Sequence, residues 1–276
     1  MTTGRKFLAF TAVLCLLLIN GCKDETSDMS KGTIVISLTD APFNYELLEE
    51  ANVTINKIEL RKKSREGSSF IVLSENEMNV NLVDLQNGIT KELVNLEVAA
   101  GDYDLLRLYI TKSSVRLKEG AEFDLKVPSS MQSGLKVFVN PDLSVTGGLT
   151  TELLLDFDVS KSFVPKGNIK LSSFNGFNFK PVIRAVNQSL AGRIEGVVTD
   201  SNNVEIPKAM VWVEKDTVVS STLSDEVGFY ALVGLPTGQY ILYSTKDGYD
   251  TLIVEAVNVD VANKTTVDVE INGITQ

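Results

Sequence analysis

From Thr33 onward the apolar residues of this chain recur with a period of two. That period is the mark of strands buried on one face, because successive side chains of a strand point to opposite sides. Ile34, Ile36 and Leu38 alternate with polar neighbours, as do Leu106, Leu108 and Ile110. The runs Phe123, Leu125, Val127 and Leu135, Val137, Val139 repeat it, and Phe177 and Phe179 close the series. Between them, Leu153, Leu155, Phe157 and Val159 share one face. The phase slips between Ile55 and Ile58, which predicts a bulge. Only Tyr45–Asn52 reads as a short helix. The region closes near Val186, with Asn187-Gln188-Ser189 as the seam. A tighter series runs from Gly192 to about Ile271, with turn signals such as Asp200-Ser201-Asn202-Asn203, Val227-Gly228 and Asp247-Gly248. Many short strands with such turns predict an all-β chain of two consecutive β-sandwich domains. Both halves share one element, Ala99-Ala100-Gly101-Asp102-Tyr103 and Pro236-Thr237-Gly238-Gln239-Tyr240. In each, the glycine is expected at positive φ and the tyrosine hydroxyl is expected to reach backbone near the turn.

Ahead of the strands lies an address. Arg5 and Lys6 precede an apolar run, Phe7–Ile19, that is too short to span a bilayer, which takes about 20 residues. The basic flank and small-residue exit read as a cleaved signal. The ending Leu18-Ile19-Asn20-Gly21-Cys22 resembles the lipobox of bacterial lipoproteins, with Asn20 an unusual occupant of its slot. The resemblance implies cleavage after Gly21 and acylation of Cys22, palmitate being a typical tail. An ordinary signal with an incidental cysteine is the alternative. Two or three acyl chains hold firmly, since each buried methylene contributes about 0.8 kcal/mol and one chain alone is marginal. Cys22-Lys23-Asp24-Glu25 further resembles the Lys-acidic-acidic export signal of some Gram-negative lineages, in which Lys23, Asp24 and Glu25 direct a lipoprotein to the cell surface. A solvated tether is the plainer reading of those residues. The expected organisation is a signal peptide over 1–21, an acidic tether over 22–31, and β-sandwiches over 32–186 and 192–274.

Composition narrows the chemistry. The 276 residues carry a net charge of −10, and removal of 1–21 takes Arg5 and Lys6 and no acid, leaving −12. An acidic surface repels phosphate backbones, so nucleic acid is not an expected partner. Histidine is absent. Ser-His-Asp and Cys-His catalysis and imidazole metal sites are thereby excluded. The only cysteines are Cys15, inside the signal, and Cys22. The mature chain therefore has no disulfide within itself, and its domains stand on their cores.

Residues 192–271 resemble the carboxypeptidase regulatory-like family, a prealbumin-type sandwich. The resemblance rests on Gly196-Val197-Val198-Thr199-Asp200, Ile206-Pro207-Lys208-Ala209-Met210-Val211 and Ser224-Asp225-Glu226-Val227-Gly228-Phe229-Tyr230. Leu235-Pro236-Thr237-Gly238-Gln239-Tyr240 and Gly248-Tyr249 complete it. It implies a spacer or contact module without catalytic residues. Residues 32–186 are similar to domain-of-unknown-function family 4382, found in bacterial lipoproteins. That similarity rests on Gly32, Leu38-Thr39-Asp40-Ala41-Pro42, Val83-Asp84-Leu85, Gly101-Asp102-Tyr103 with Arg107, Leu155-Asp156-Phe157-Asp158-Val159 and Phe179-Lys180-Pro181-Val182-Ile183-Arg184. It implies a fold and no reaction.

Three constellations are candidate sites. Asp156 and Asp158 share a strand face with Cα atoms roughly 6.6 Å apart. Glycosidase acids flank the bond from opposite sides, whereas these project together, so a solvated face or turn support is the main expectation. A weaker one is a calcium site with Asp40, Asp84 or Asp102. Arg61-Lys62-Lys63-Ser64-Arg65 reads as a charged hairpin tip, with contact to anionic lipid or polysaccharide as the alternative. In the second half Ala209, Val211, Val213, Tyr240 and Leu242 are expected inward, and Met210, Trp212, Glu214 and Tyr243 outward. Trp212 and Tyr243 are then a possible ligand contact for a sugar ring, or Trp212 packs against the first domain.

The sequence thus reads as a non-enzymatic, lipid-anchored binding or scaffolding protein of the outer membrane, facing the exterior, without a cofactor. Its partners are the membrane through the lipid and possibly a glycan or another surface protein. A glycan-binding accessory of a polysaccharide-uptake system and a fimbrial or adhesin subunit are the alternatives. Cys22→Ser is expected to abolish lipid labelling. Membrane attachment of that variant after signal removal would contradict the anchor.

Overall fold

The computed structural model of the protein describes residues 29–41, 48–64, 69–168 and 174–274. Cys22, Lys23, Asp24 and Glu25 lie outside the described residues. The first region contains β1 (Lys31–Ala41), β2 (Leu48–Lys62), β3 (Ser69–Ser74), β4 (Met78–Asn81), β5 (Lys91–Ala99) and β6 (Gly101–Leu117). It continues with β7 (Glu122–Asp124), β8 (Leu135–Val145), β9 (Thr150–Asp158), the one-turn helix α1 (Val159–Ser162), β10 (Phe163–Pro165), β11 (Phe177–Phe179) and β12 (Ile183–Asn187). Ten of these strands form one mixed sheet in the order β3-β2-β6-β8-β12-β9-β1-β5, with β4 on β2 and β7 on β6. Residues from both ends of that order, Ile34, Ile36 and Leu38 of β1 and Val53, Ile55 and Ile58 of β2, fill a single core. The sheet therefore curls over into two facing layers.

The alternation predicted from sequence is what fills that core: Leu106, Leu108, Ile110, Val137, Val139, Leu153, Leu155 and Phe157 are all buried in it. The phase slip in β2 is a bulge, with the register to β6 shifting on both sides of Ile55 and the register to β3 shifting after Ile58. The short helix expected over Tyr45–Asn52 is not formed where the chain is described. Leu48–Asn52 belongs to β2, and Tyr45–Leu47 lies outside the described residues. Glu49, Glu50 and Ala51 favour helix locally, yet Leu48 pairs with Leu117 and Ala51 with Val115, and both Leu48 and Ala51 are buried. Burial in the ladder with β6 outweighs a propensity difference of a few tenths of a kcal/mol per residue.

A 3-10 turn, Gln188–Leu190, leads into the second region. Its strands are β13 (Ala191–Thr199), β14 (Met210–Glu214), β15 (Val218–Leu223), β16 (Phe229–Pro236), β17 (Gly238–Thr245), β18 (Leu252–Val259), β19 (Lys264–Thr266) and β20 (Val269–Glu270). One sheet has the order β16-β13-β19, with β20 also on β13, and the other runs β15-β14-β17-β18. Ile194, Val198, Tyr230 and Leu232 from the first sheet meet Val211, Val213, Tyr240 and Leu242 from the second in a separate core. This is a β-sandwich with its two layers in distinct sheets.

The shared turn element has the same geometry in both domains. Gly101 and Gly238 take positive φ. The Tyr103 hydroxyl donates to the carbonyl of Ala99 at 2.7 Å and the Tyr240 hydroxyl to that of Pro236 at 2.6 Å. Each ring is buried, so the tyrosine fills the core while its polar tip satisfies a turn carbonyl four residues back. Tyr103→Phe and Tyr240→Phe are each expected to lower stability by about 1 kcal/mol, the net value of one hydrogen bond. Denaturant titration of the two variants checks this.

Candidate functional site

The acidic pair lies at the junction of the two domains. Asp156 sits on the face of β9 opposite the core and is 8% exposed, which corrects the expectation of a solvated face. The cover is the second domain. Leu154, on the same face, clusters with Val186, Ala191 and Val233. A Cβ placed on Gly234 would stand 3.0 Å from the Leu154 side chain. Gly234 occupies a bulge of β16, where the register to β13 shifts between Gly192 and Ile194. Its φ of +66° is open to glycine and strained for other residues.

A buried carboxylate needs a partner, and Arg184 on the neighbouring strand β12 supplies it. Arg184 pairs in register with Asp156 across the sheet. Its Nη2 donates to Asp156 Oδ2 at 2.7 Å, and its Nε approaches the same oxygen at 3.3 Å. The third contact crosses the junction: Nη1 donates to the Gly234 carbonyl of β16 at 3.2 Å. Burial pushes the Asp156 carboxyl above its usual range, and Arg184 opposes the shift. Asp158 has the other expected role, turn support. Its Oδ1 accepts from the Lys161 amide at 2.9 Å and caps α1, while Oδ2 pairs with Lys161 Nζ at 2.7 Å. Burial pushes Asp158 up, but the hydrogen bonds from Lys161 and Ser160 outweigh it and hold the carboxyl below its usual range.

Asp40 completes the group from β1, where it lies opposite Phe157 of β9. Its Oδ1 accepts from the Val159 amide at 3.2 Å, and its buried Oδ2 has no partner. Burial drives this carboxyl well up, and the charges of Asp156 and Asp158 add to the shift. Asp156 and Asp158 are thus each engaged by a cation. Among the described residues no three His, Cys, Asp or Glu side chains are placed to share a metal ion, so the calcium set is not assembled.

A second contact crosses the junction from the turn before β5. Asn87 and Gly88 both have positive φ, and the Ile89 amide closes the turn on the Gln86 carbonyl at 3.2 Å. Two positive φ values in succession define a type I′ turn, for which Asn-Gly is the favoured pair. The Thr39 hydroxyl of β1, 3.2 Å from the Leu85 carbonyl and 2.9 Å from that of Ile89, holds the turn against the sheet. So held, Asn87 donates through Nδ2 to the Phe229 carbonyl at 3.1 Å and accepts through Oδ1 from the Ala231 amide at 2.6 Å. Sequence reasoning singled out neither Asn87 nor Arg184 as a contact. The Asn-Gly dipeptide flags the turn, but what the turn touches depends on residues 142 positions away.

The remaining candidates are accounted for locally. Arg61 makes a two-toothed pair with Asp104, both contacts 2.8 Å. Lys62 donates to the Ala100 carbonyl at 2.9 Å, and Lys63 pairs with Asp142 at 2.6 Å. The basic stretch is therefore largely neutralised at its start, and Arg65 lies outside the described residues. Asp200 closes its own turn by accepting from the Asn202 and Val204 amides. Trp212 and Tyr243 point outward, as expected, and are directly opposed on β14 and β17. Their rings stack face to face, with centroids 5.0 Å apart and planes 6° apart. Trp212 Nε1 donates to Glu214 Oε1 at 2.9 Å. Both of these contacts lie inside the second sandwich. One face of each ring is taken up by the other, and the pair does not form the side-by-side platform on which a sugar ring would lie flat.

Two β-sandwiches docked through half-buried polar contacts define a two-domain, all-β protein. The profile of the domain of unknown function DUF4382 matches residues 31–181, more than half of the chain, and the chain belongs to that family. The carboxypeptidase regulatory-like domain profile matches residues 193–272. Comparison with curated proteins finds no match. Among solved structures, the Bacillus anthracis TIE protein is similar at 13% identity and a TM-score of 0.26, over 89% of this chain and 34% of its own. BcpA, the major pilin subunit of Bacillus cereus, is similar at 12% identity and a TM-score of 0.27, over 88% and 71%. The shaft pilin SpaA of Lactobacillus rhamnosus GG is similar at 11% identity and a TM-score of 0.28, over 89% and 99%. Scores this low carry nothing about the role of this chain.

The raised carboxyl of Asp40 has a direct consequence for stability. A group that binds its proton more tightly folded than unfolded stabilises the fold at low pH. That contribution is lost as pH rises from the ordinary carboxylate range through the raised value. Asp40→Asn, which never ionises, is expected to raise the melting temperature at about pH 8 and to flatten the pH dependence above about pH 4. Melting curves of both proteins across that range check it. An unchanged pH profile would contradict the assignment.

Proposed function

We propose that this protein is a lipid-anchored, non-enzymatic binding or scaffolding protein on the outer face of the outer membrane. The observation that carries the proposal is the junction. Arg184 and Asn87 commit half-buried polar groups of the first domain to the backbone of the second. Burying such groups is costly unless their geometry is met, so the two domains hold one orientation. A binding or spacing protein needs that property, since it must present a surface at a fixed attitude to its anchor. The lipobox-like ending at Cys22 and the Lys23-Asp24-Glu25 signal support the location.

A glycan-binding accessory role is the second reading, and the outward Trp212–Tyr243 pair favours it. The cofacial stack leaves the outer ring faces and edges for contact, which suits the side of a sugar chain or a protein loop. A glycan-array and pull-down screen on the soluble chain beginning at Lys23 tests both readings. Trp212→Ala is expected to weaken the captured partner by about 1–3 kcal/mol, as for a central aromatic anchor. Stability should fall by only about 1 kcal/mol, the scale of an exposed cross-strand aromatic pair. No capture by the wild-type chain would overturn the binding reading. Capture indifferent to Trp212 would remove the aromatic pair from it.

A further inference from the structure

The first strand starts close to the proposed anchor. Cys22 and Met29 are seven residues apart, at most about 25 Å of extended chain. That is less than half of the roughly 55 Å of strand in the 17 residues of β6. With the lipid on Cys22, the end of the first domain at Lys31 is always within reach of the bilayer.

That end is built around the turn between β8 and β9, Thr146-Gly147-Gly148-Leu149. The Gly148 amide donates to the Lys31 carbonyl at 2.8 Å, and the Leu149 carbonyl accepts from the Thr33 amide at 2.9 Å. Gly147 lets the entering chain cross the turn, for a Cβ there would collide with the Met29 carbonyl. The Ala100 amide donates to the Ser30 carbonyl at 2.8 Å and brings the tyrosine turn of β6 alongside. On this fixed backbone the Met29 side chain is 66% exposed and that of Leu149 60%. Both are among the four most exposed large apolar side chains of the described residues. A lone exposed leucine is ordinary. Two such side chains at the one end that the tether enters share a position as well as a character. Lys31 is exposed there, and Lys62 is held there by its bond to the Ala100 carbonyl. Of the neighbouring acids, Asp142 is paired with Lys63 and Asp102 accepts from the Ser144 hydroxyl, while Glu97 stands further along, opposite Thr33.

We propose that this end of the first domain is a lipid-contact surface. Met29 and Leu149 enter the interfacial layer of the bilayer, and Lys31 and Lys62 meet anionic headgroups, so that the protein is seated on the membrane by its own residues as well as by the lipid. The proposal rests on the anchored reading above. The bilayer is the occupant that the chain itself delivers, because the anchor keeps it beside these residues. A short leash holds the two at about millimolar effective concentration. A contact too weak to bring the free chain to vesicles is therefore populated once the chain is tethered.

The test supplies the anchor chemically, so that its outcome does not depend on acylation in the cell, which lipid labelling of Cys22 reads separately. The chain beginning at Cys22 has a single cysteine, through which it is coupled to a maleimide-headgroup lipid. The vesicles are phosphatidylcholine with phosphatidylglycerol as the minor component, prepared with and without bromine in the acyl chains. Trp212→Phe removes the only native tryptophan, and Leu149→Trp in that background places a reporter on the turn. Its emission is expected to shift to the blue and to be quenched at least about twofold by the brominated lipid, as for a side chain seated at the acyl boundary. Val227→Trp in the same background, at a side chain 64% exposed in the second domain, is expected to stay unquenched. Quenching of Leu149→Trp no greater than that of Val227→Trp overturns the proposal. Met29 gives a second reading with Leu149 intact. Its oxidation by hydrogen peroxide, followed by peptide mass, is expected to be several-fold slower on the vesicle-coupled chain than on the same chain free in solution. Equal rates in the two states also overturn it.

Discussion

The contact on which the arrangement of the two domains depends is Arg184, held by Asp156 on its own sheet and extended to the Gly234 carbonyl on the other. The Asp156 carboxylate is buried but the Arg184 side chain stays 32% exposed, so the pair adds little net stability: desolvation of the acid and solvent screening of the arginine offset much of their attraction. What it adds is selectivity. A slid or rotated second domain would leave the guanidinium short of an acceptor and Asp156 covered by a surface that does not complement it. Apolar contacts such as Leu154 against Val233 tolerate sliding, and hydrogen bonds to a fixed carbonyl do not. The apolar cluster brings the domains together, and Arg184 with Asn87 decides how they meet.

The carboxylates around that pair divide the labour by environment. Asp156 is buried and bound by arginine, Asp158 caps a helical turn beside Lys161, and Asp40 is buried with one oxygen unpartnered. Three aspartates near one another would repel if all were charged, and the burial of Asp40 favours its neutral form. The cluster that reads in sequence as a possible catalytic or calcium site is thus divided between an arginine partner, a turn cap and a buried acid whose charged form is disfavoured.

What the sequence makes legible is what depends on near neighbours. A period of two locates the strands, a slip in phase locates the bulge at Ile55, and a Gly followed two residues later by Tyr locates both tyrosine hydroxyl contacts. What it hides depends on distant chain. Leu48–Asn52 looks helical until β6 is placed beside it. Asp156 looks solvated because nothing near it in sequence announces that β16 will cover that face. Trp212 and Tyr243 are correctly outward, but their register across β14 and β17, which turns two separate rings into one stack, is set by strand pairing and not by either segment alone.

The position of β1 in its sheet has a mechanical meaning. Its residues pair with β9 on one side and β5 on the other, with the register to β9 unbroken from Thr33 to Ala41. In a chain tethered ahead of Lys31, as the anchor proposal has it, any drag on the body of the protein enters through the start of this strand. Force along a strand bonded on both flanks shears its hydrogen bonds together, whereas force across an edge strand peels them one at a time. The point of attachment is thus also a place where the sheet resists tearing well.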